Sequence, residues 1–250
     1  MLSNATMENL TKLRLHGMTK ALEELMRTTA ISGMSGEEVV GILADRELTE
    51  REDRRTSRRL KSAKLRLSAM VEDIDWKVDR GLDKKSMSSL FSCDWIRRKQ
   101  HVIFTGPSGT GKTWLSCALA EKACREGYTT KFLRYPRLFT ELATARIDGS
   151  LTRYLSKLAK TDLLVLDDWG QHLGDVERRE LFEIIEDRNE RSSVIITSQH
   201  PVDSLHTSIG DPTIADAIFD RIIHRAHEFK LSGPSLRDES NLSVKDQKEN

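Results

Sequence analysis

Apolar and small residues return every three or four positions at Leu10, Leu13, Gly17, Ala21 and Leu25, a spacing that predicts an amphipathic helix over residues 7–27. The stretch SGMSG interrupts it. Ser35 followed by Glu38 is a capping-box pattern, with a hydroxyl for one orphan amide and a carboxylate for another. A second helix is therefore expected from about Gly36, with Val39, Ile42 and Leu43 as its apolar seam. Further along, the pattern changes period. Short β-rich runs (HVIFTG, YTTKFLRY, LLVLDDWG, SVIITSQ) alternate with helical ones (TWLSCALAEKACREG, RLFTELATARIDG, ERRELFEIIEDRNE). That alternation predicts βαβ units, an α/β fold with a parallel sheet flanked by helices. The expected organisation is a small all-helical domain over 1–69, a linker over 70–95, an α/β domain over 96–237 and a polar tail over 238–250.

Composition changes this picture only locally. The 250 residues carry a net charge of +1 although 32% are charged, so any electrostatic preference must come from clustering. The strongest cluster is REDRRTSRRLKSAKLR, residues 51–66, with eight Lys or Arg against two acids. At helical spacing Arg51, Arg54, Arg55, Arg58, Arg59 and Lys61 form one broad basic face. Such a face suits a phosphate backbone, and equally a solvated helix. Nothing in it resembles base readout, so nucleic-acid binding here is expected to be nonspecific and salt-sensitive. Arg153, Lys157 and Lys160 in SLTRYLSKLAK read as a second, solvated stripe.

Cys93, Cys117 and Cys124 form no CxxC pair and read as reduced core thiols, not a disulfide framework or zinc site. His224 and His227 lack the further ligands of a metal site and read as packing or surface residues. No apolar run approaches the roughly 20 residues of a bilayer span, and the N-terminus lacks a signal-peptide pattern, so a cytoplasmic protein is expected.

The chemistry concentrates in GPSGTGKT, residues 106–113, which satisfies G-x-x-x-x-G-K-[ST] between a strand and a helix. Glycines let successive amides turn toward phosphate oxygens, and the following helix presents its positive end. Gly106, Pro107, Ser108, Gly109, Thr110, Gly111, Lys112, Thr113 and the adjacent Trp114 are the candidate nucleotide contacts. Lys112 is placed on the β and γ phosphates and the Thr113 hydroxyl on Mg2+. LLVLDDWG supplies the second metal ligand, Asp167, at the end of a buried strand; Asp168, one residue on, is the candidate for orienting and deprotonating water. The next strand ends in Thr197, Ser198 and Gln199, and Ser198 is the candidate to touch the γ phosphate or the water.

With GPSGTGKT, LLVLDDWG, VIITSQHP, DAIFDRIIHRAHEFKL and GPSLR in this order, the chain resembles the DnaC-like AAA+ ATPases. Within them it is most similar to the IstB family, the ATP-binding helpers of bacterial insertion sequences. The likeness covers about Met70 to Arg237. It implies an AAA+ fold taking ATP and Mg2+, with Arg221 presented to the neighbouring subunit's γ phosphate and Arg237 acting as a second sensor arginine on its own nucleotide. It also implies ATP-dependent multimerisation on duplex DNA and regulation of a transposase. Two departures stand out: Asp168 replaces the usual glutamate, and only nineteen residues follow Leu231, so the C-terminal lid is reduced. A replicative helicase loader shares the same nucleotide chemistry. A nucleoside kinase would want an arginine-rich lid, and a GTPase an N-K-x-D stretch; neither is found.

Overall fold

The structure, a computed structural model, describes residues 2–28, 30–170 and 172–236. It divides into two compact units, Met1–Arg58 and Arg59–Asn250. No described helix is long and apolar enough to cross a membrane.

The first unit contains α1 (Leu2–Lys12), α2 (His16–Arg27) and most of α3 (Gly36–Ala63). The single helix expected over 7–27 is two. Arg14 adopts a left-handed φ of 60°, and the Leu15 amide returns to Leu10 O at 2.9 Å, closing the first helix. An apolar repeat cannot show this break, because the stripe resumes on the next helix. The capping box forms as read: Ser35 N donates to Glu38 Oε2 at 2.7 Å and Glu38 N to Ser35 Oγ at 3.2 Å. α2 and α3 approach closely at Gly17, where a Cβ would lie 2.5 Å from Arg46 O. There the buried Glu47 accepts the Gly17 and Met18 amides at 2.7 and 3.2 Å, satisfying orphan donors of the first turn of α2. Burial raises the Glu47 pKa, but hydrogen bonds from Arg51 and these amides outweigh it and hold the carboxyl below its ordinary value.

The second unit continues with α4 (Lys84–Ser89), α5 (Asp94–Arg97), β1 (His101–Thr105), α6 (Lys112–Arg125), β2 (Thr130–Arg134), α7 (Tyr135–Ile147) and α8 (Leu151–Ala159). It ends with β3 (Leu163–Trp169), α9 (Asp175–Arg188), β4 (Ser193–Ser198), α10 (Val202–Ile209), α11 (Pro212–Ile223) and β5 (Ala226–Lys230). The strands form one parallel sheet in the order β2-β3-β4-β1-β5.

Helices cover both faces, which is why the central strands read as unbroken apolar runs. Along β3 the strand period distributes the core. Leu163 and Val165 join α6, Phe104 and Trp95 on one face; Leu164 and Leu166 join the α7–α11 layer on the other. β5 lies in RAHEFK, a stretch whose strand character the periodicity did not reveal. All five strands run the same way, so the segments leaving β1, β3 and β4 emerge together at the carboxyl edge, where open parallel sheets bind ligands.

Candidate functional site

The glycine loop leaves β1 at Gly106, whose φ is 136°; a Cβ there would lie 2.1 Å from Leu231 O, so only glycine lets the chain after β5 pass this closely. The loop is held by its own bonds and by that neighbouring chain. Thr110 Oγ1 donates to Pro107 O at 2.9 Å, and the Leu236 amide donates to Gly109 O at 3.0 Å. Lys112, at the start of α6, folds its ammonium back onto Gly106 O and Pro107 O, each at 2.6 Å. Two carbonyls thus solvate the charge that the sequence places on phosphate.

Thr113 and Asp167, the two expected metal ligands, lie side by side. Thr113 Oγ1 donates to Asp167 Oδ1 at 2.7 Å, and Thr197 Oγ1 donates to the same oxygen at 2.7 Å. Asp167 is fully buried, yet its Oδ2 has no hydrogen bond; the Arg66 guanidinium lies 3.6 Å away. A buried carboxylate with one oxygen unsatisfied, beside a hydroxyl, is a donor set that fits a hard divalent cation such as Mg2+. Among the described residues no group of three or more His, Cys, Asp or Glu could hold a metal. A Mg2+ site of this kind needs only one or two protein ligands, with phosphate and water for the rest.

Asp168 behaves differently from its neighbour. Its φ is 66°, and the β3–β4 register shifts between Leu166 and Trp169. This irregularity turns consecutive carboxylates to different environments: the Asp168 side chain is 39% exposed where Asp167 is 0%. The Asp168 amide donates to Thr197 Oγ1 at 3.0 Å, while its carboxylate accepts from Arg134 Nη2 at 2.9 Å and Gln199 Nε2 at 3.3 Å. Burial raises its pKa, but the bonds from Arg134 and Gln199 and the charges of Arg134 and Arg66 outweigh it, leaving the group below its ordinary value.

These groups line a cleft of about 570 Å³ that also includes Ser108, Gly109, Gly111, Trp114 and Leu236. Ser198 is not among them. Its fully buried hydroxyl donates to Trp169 O at 2.6 Å and accepts the His200 amide at 3.0 Å. The γ-phosphate position expected for Ser198 is corrected by strand alternation: Thr197 and Gln199 face the cleft and Ser198 faces away. Arg221, on α11, lies outside the cleft of its own chain. It contacts Glu186, donates from Nη1 to Ala217 O at 2.5 Å and stacks 5.3 Å from the Phe182 ring. Arg237 lies outside the described residues.

The basic helix face is less free than its sequence suggests. Arg51 pairs with Glu47, Arg54 with Glu50 and more distantly Glu47, and Arg55 with Glu52. Arg59 Nε donates to Cys124 O at 2.7 Å, at the carboxyl end of α6 where a cation is favoured. Arg58 and Lys61 are exposed. On α8, Arg153 and Lys157, and Lys160 just after it, are exposed while Leu155 and Leu158 are buried. The three cysteines are free and buried, and burial pushes their thiols up. His224 pairs with Asp220 and His227 with Gln100. Sequence reading missed Arg66, Arg134 and the facing of Thr197, all brought in by neighbouring segments.

The model of the family of IstB-like ATP binding proteins matches residues 8–243. An insertion sequence ATP-binding protein of Sinorhizobium fredii is 46% identical over 238 residues, covering 95% of this chain and 97% of its own. The IS21 ATP-binding protein of Pseudomonas aeruginosa is 30% identical over 229 residues, covering 91% and 86%. Among solved structures, DnaI superposes with a TM-score of 0.58 at 23% identity, covering 67% of this chain and 92% of its own. The DnaC helicase loader gives 0.51 at 21%, covering 59% and 87%. These structures share the AAA+ fold with this chain.

Proposed function

The chain belongs to the family of IstB-like ATP binding proteins, and from that premise we propose that it is an Mg2+-dependent ATPase that assembles on duplex DNA and assists a transposase in choosing its target. The observation that carries this reading is the convergence of Lys112, Thr113 and Asp167 in one cleft, with an unsatisfied buried oxygen on Asp167.

Thr113 and Asp167 would hold Mg2+, which would neutralise charge on the triphosphate. The chain's own residues do the rest. Lys112 exchanges the carbonyls of Gly106 and Pro107 for phosphate oxygens, a charge-assisted gain over neutral acceptors. Asp168, kept ionised by Arg134 and Gln199, orients the attacking water and accepts its proton. Arg221, outside its own cleft, is available to stabilise charge in the cleft of an adjacent copy once it leaves Glu186. The triphosphate then acts as the link between copies, and its hydrolysis loosens the assembly.

Arg58 and Lys61, with Arg51, Arg54 and Arg55, supply phosphate contacts to DNA. The Arg55–Glu52 pair is solvent-exposed on both sides, and such pairs are worth about 0–1 kcal/mol, so a DNA phosphate can replace that acid at little cost; Arg51, whose partner Glu47 is buried, is costlier to release. Specific ATPase activity measured against protein concentration, with and without duplex DNA, tests the proposal. Activity rising with both supports it; a dilute single copy hydrolysing at full rate without DNA overturns it.

A further inference from the structure

The basic stretch ends inside the cleft. α3 stops at Ala63, Lys64 takes a left-handed φ of 53°, and the chain then runs beside α6 from that helix's end toward its start. Arg59 bonds Cys124 O in the last turn of α6; the backbone of Arg66 and Leu67 lies against Cys117, nearer the glycine loop. Buried Ala63 and Ala69 fix the two ends of this passage. Arg66 therefore emerges from an anchored backbone, with its side chain 46% exposed, lining the same cleft as Ser108, Lys112 and Thr113.

Its guanidinium stands 3.6 Å from Asp167 Oδ2, outside hydrogen-bond range yet close enough to offset the charge of a fully buried carboxylate. A divalent cation and a guanidinium cannot both take that oxygen, since like charges at such range repel strongly. Asp168, the next acid, already accepts from Arg134 and Gln199. A polyphosphate in the cleft is an anionic partner in reach of this long, half-exposed side chain, and the planar fork of arginine matches phosphate oxygens.

We infer that Arg66 is a phosphate-contacting arginine supplied by the chain's own segment after α3: it neutralises Asp167 in the nucleotide-free protein and turns onto the triphosphate when Asp167 takes the metal. This rests on the proposed Mg2+–ATP occupancy of the cleft. It adds a cationic group of the same chain to the arginine expected from a neighbour, and gives the cleft a reason to prefer a triphosphate to a diphosphate.

Isothermal titration of the full chain with ATP and with ADP, in Mg2+, tests it on wild type, Arg66→Ala and Arg66→Lys. A charge-assisted contact made to the triphosphate predicts that Arg66→Ala weakens ATP binding about tenfold and ADP binding by about threefold or less, with Arg66→Lys recovering part of the loss. Wild type failing to bind ATP would overturn the underlying reading. Wild type binding while Arg66→Ala matches it for both nucleotides, binds ATP more tightly, or loses ATP and ADP equally would overturn this inference alone. Should Arg66→Ala melt below the assay temperature, Arg66→Lys decides: a larger loss for ATP than for ADP supports the contact, and equal losses contradict it.

Discussion

Arg134, the last residue of β2, donates from Nη2 to Asp168 Oδ2 at 2.9 Å, so the carboxylate expected to act on water is ion-paired with a neighbouring strand. Both side chains are about half exposed, and a pair of that kind is readily opened. Asp168 also needs its left-handed φ, which Asp and Asn tolerate better than other side chains. Asp168→Asn is expected to fold as wild type, bind Mg2+–ATP within about threefold, and turn over at least about a hundredfold more slowly. Asp168→Ala should show the same kinetic loss and a further destabilisation of about 1 kcal/mol. Single-turnover hydrolysis and thermal unfolding measure the two effects separately.

Arg221 is held by Glu186 and the Phe182 ring, away from its own cleft. Arg221→Ala should keep ATP binding and lose turnover by about 10³-fold. Lys112→Ala should lose binding while still presenting Arg221. Mixing the two inactive proteins should restore part of the activity, because each supplies what the other lacks. Absence of any recovery, with both variants folded, would place Arg221 outside the reaction.

Arg58 and Lys61 are exposed on α3. Their double replacement by alanine should weaken duplex binding uniformly across sequences and reduce the slope of log affinity against log salt by about 2. An unchanged slope would mean that DNA lies elsewhere.

His101 opens β1 fully inside the protein and accepts the Val194 amide on Nδ1 at 3.1 Å. Burial, reinforced by the charge of nearby Arg188, pushes its pKa down to about 4. A histidine depressed in the folded state binds fewer protons than the unfolded chain between the unfolded value near 6.5 and the folded value. Its contribution is therefore complete above about pH 6.5, falls as pH drops, and levels off below about pH 4, a loss on the order of 3 kcal/mol. His101→Asn, which keeps an acceptor without that titration, should show a shallower fall in unfolding free energy across this range.

The glycine loop could be read directly because its eight residues are contiguous and their spacing is the chemistry. Asp167 was equally visible, as the first carboxylate after four buried apolar residues. The partners of these groups were not, since topology brings them together. β2 pairs with β3 so that Arg134 sits opposite Asp167 in register, which puts Arg134 beside Asp168 although thirty-four positions separate them. Arg66 belongs by composition to the basic helix, and only the left-handed turn at Lys64 sends it to the cleft. Ser198 illustrates parity: a displacement of one residue along β4 exchanges the cleft for the interior, and the irregularity at Asp168 hides which set of residues faces in. Most of the basic face was legible as charge, but not as the ion pairs with Glu47, Glu50 and Glu52 that occupy much of it.

The central claim is that Lys112, Thr113 and Asp167 hold a metal-bridged triphosphate. Calorimetric titration with ATP, in Mg2+ and again after chelation, tests it on wild type and on Asp167→Asn, whose amide oxygen can still accept the Thr113 and Thr197 hydroxyls. Wild type should bind at least about tenfold more tightly with Mg2+, and Asp167→Asn should bind equally with and without it. Wild-type binding that ignores Mg2+, or a metal dependence that survives in Asp167→Asn, would contradict the account.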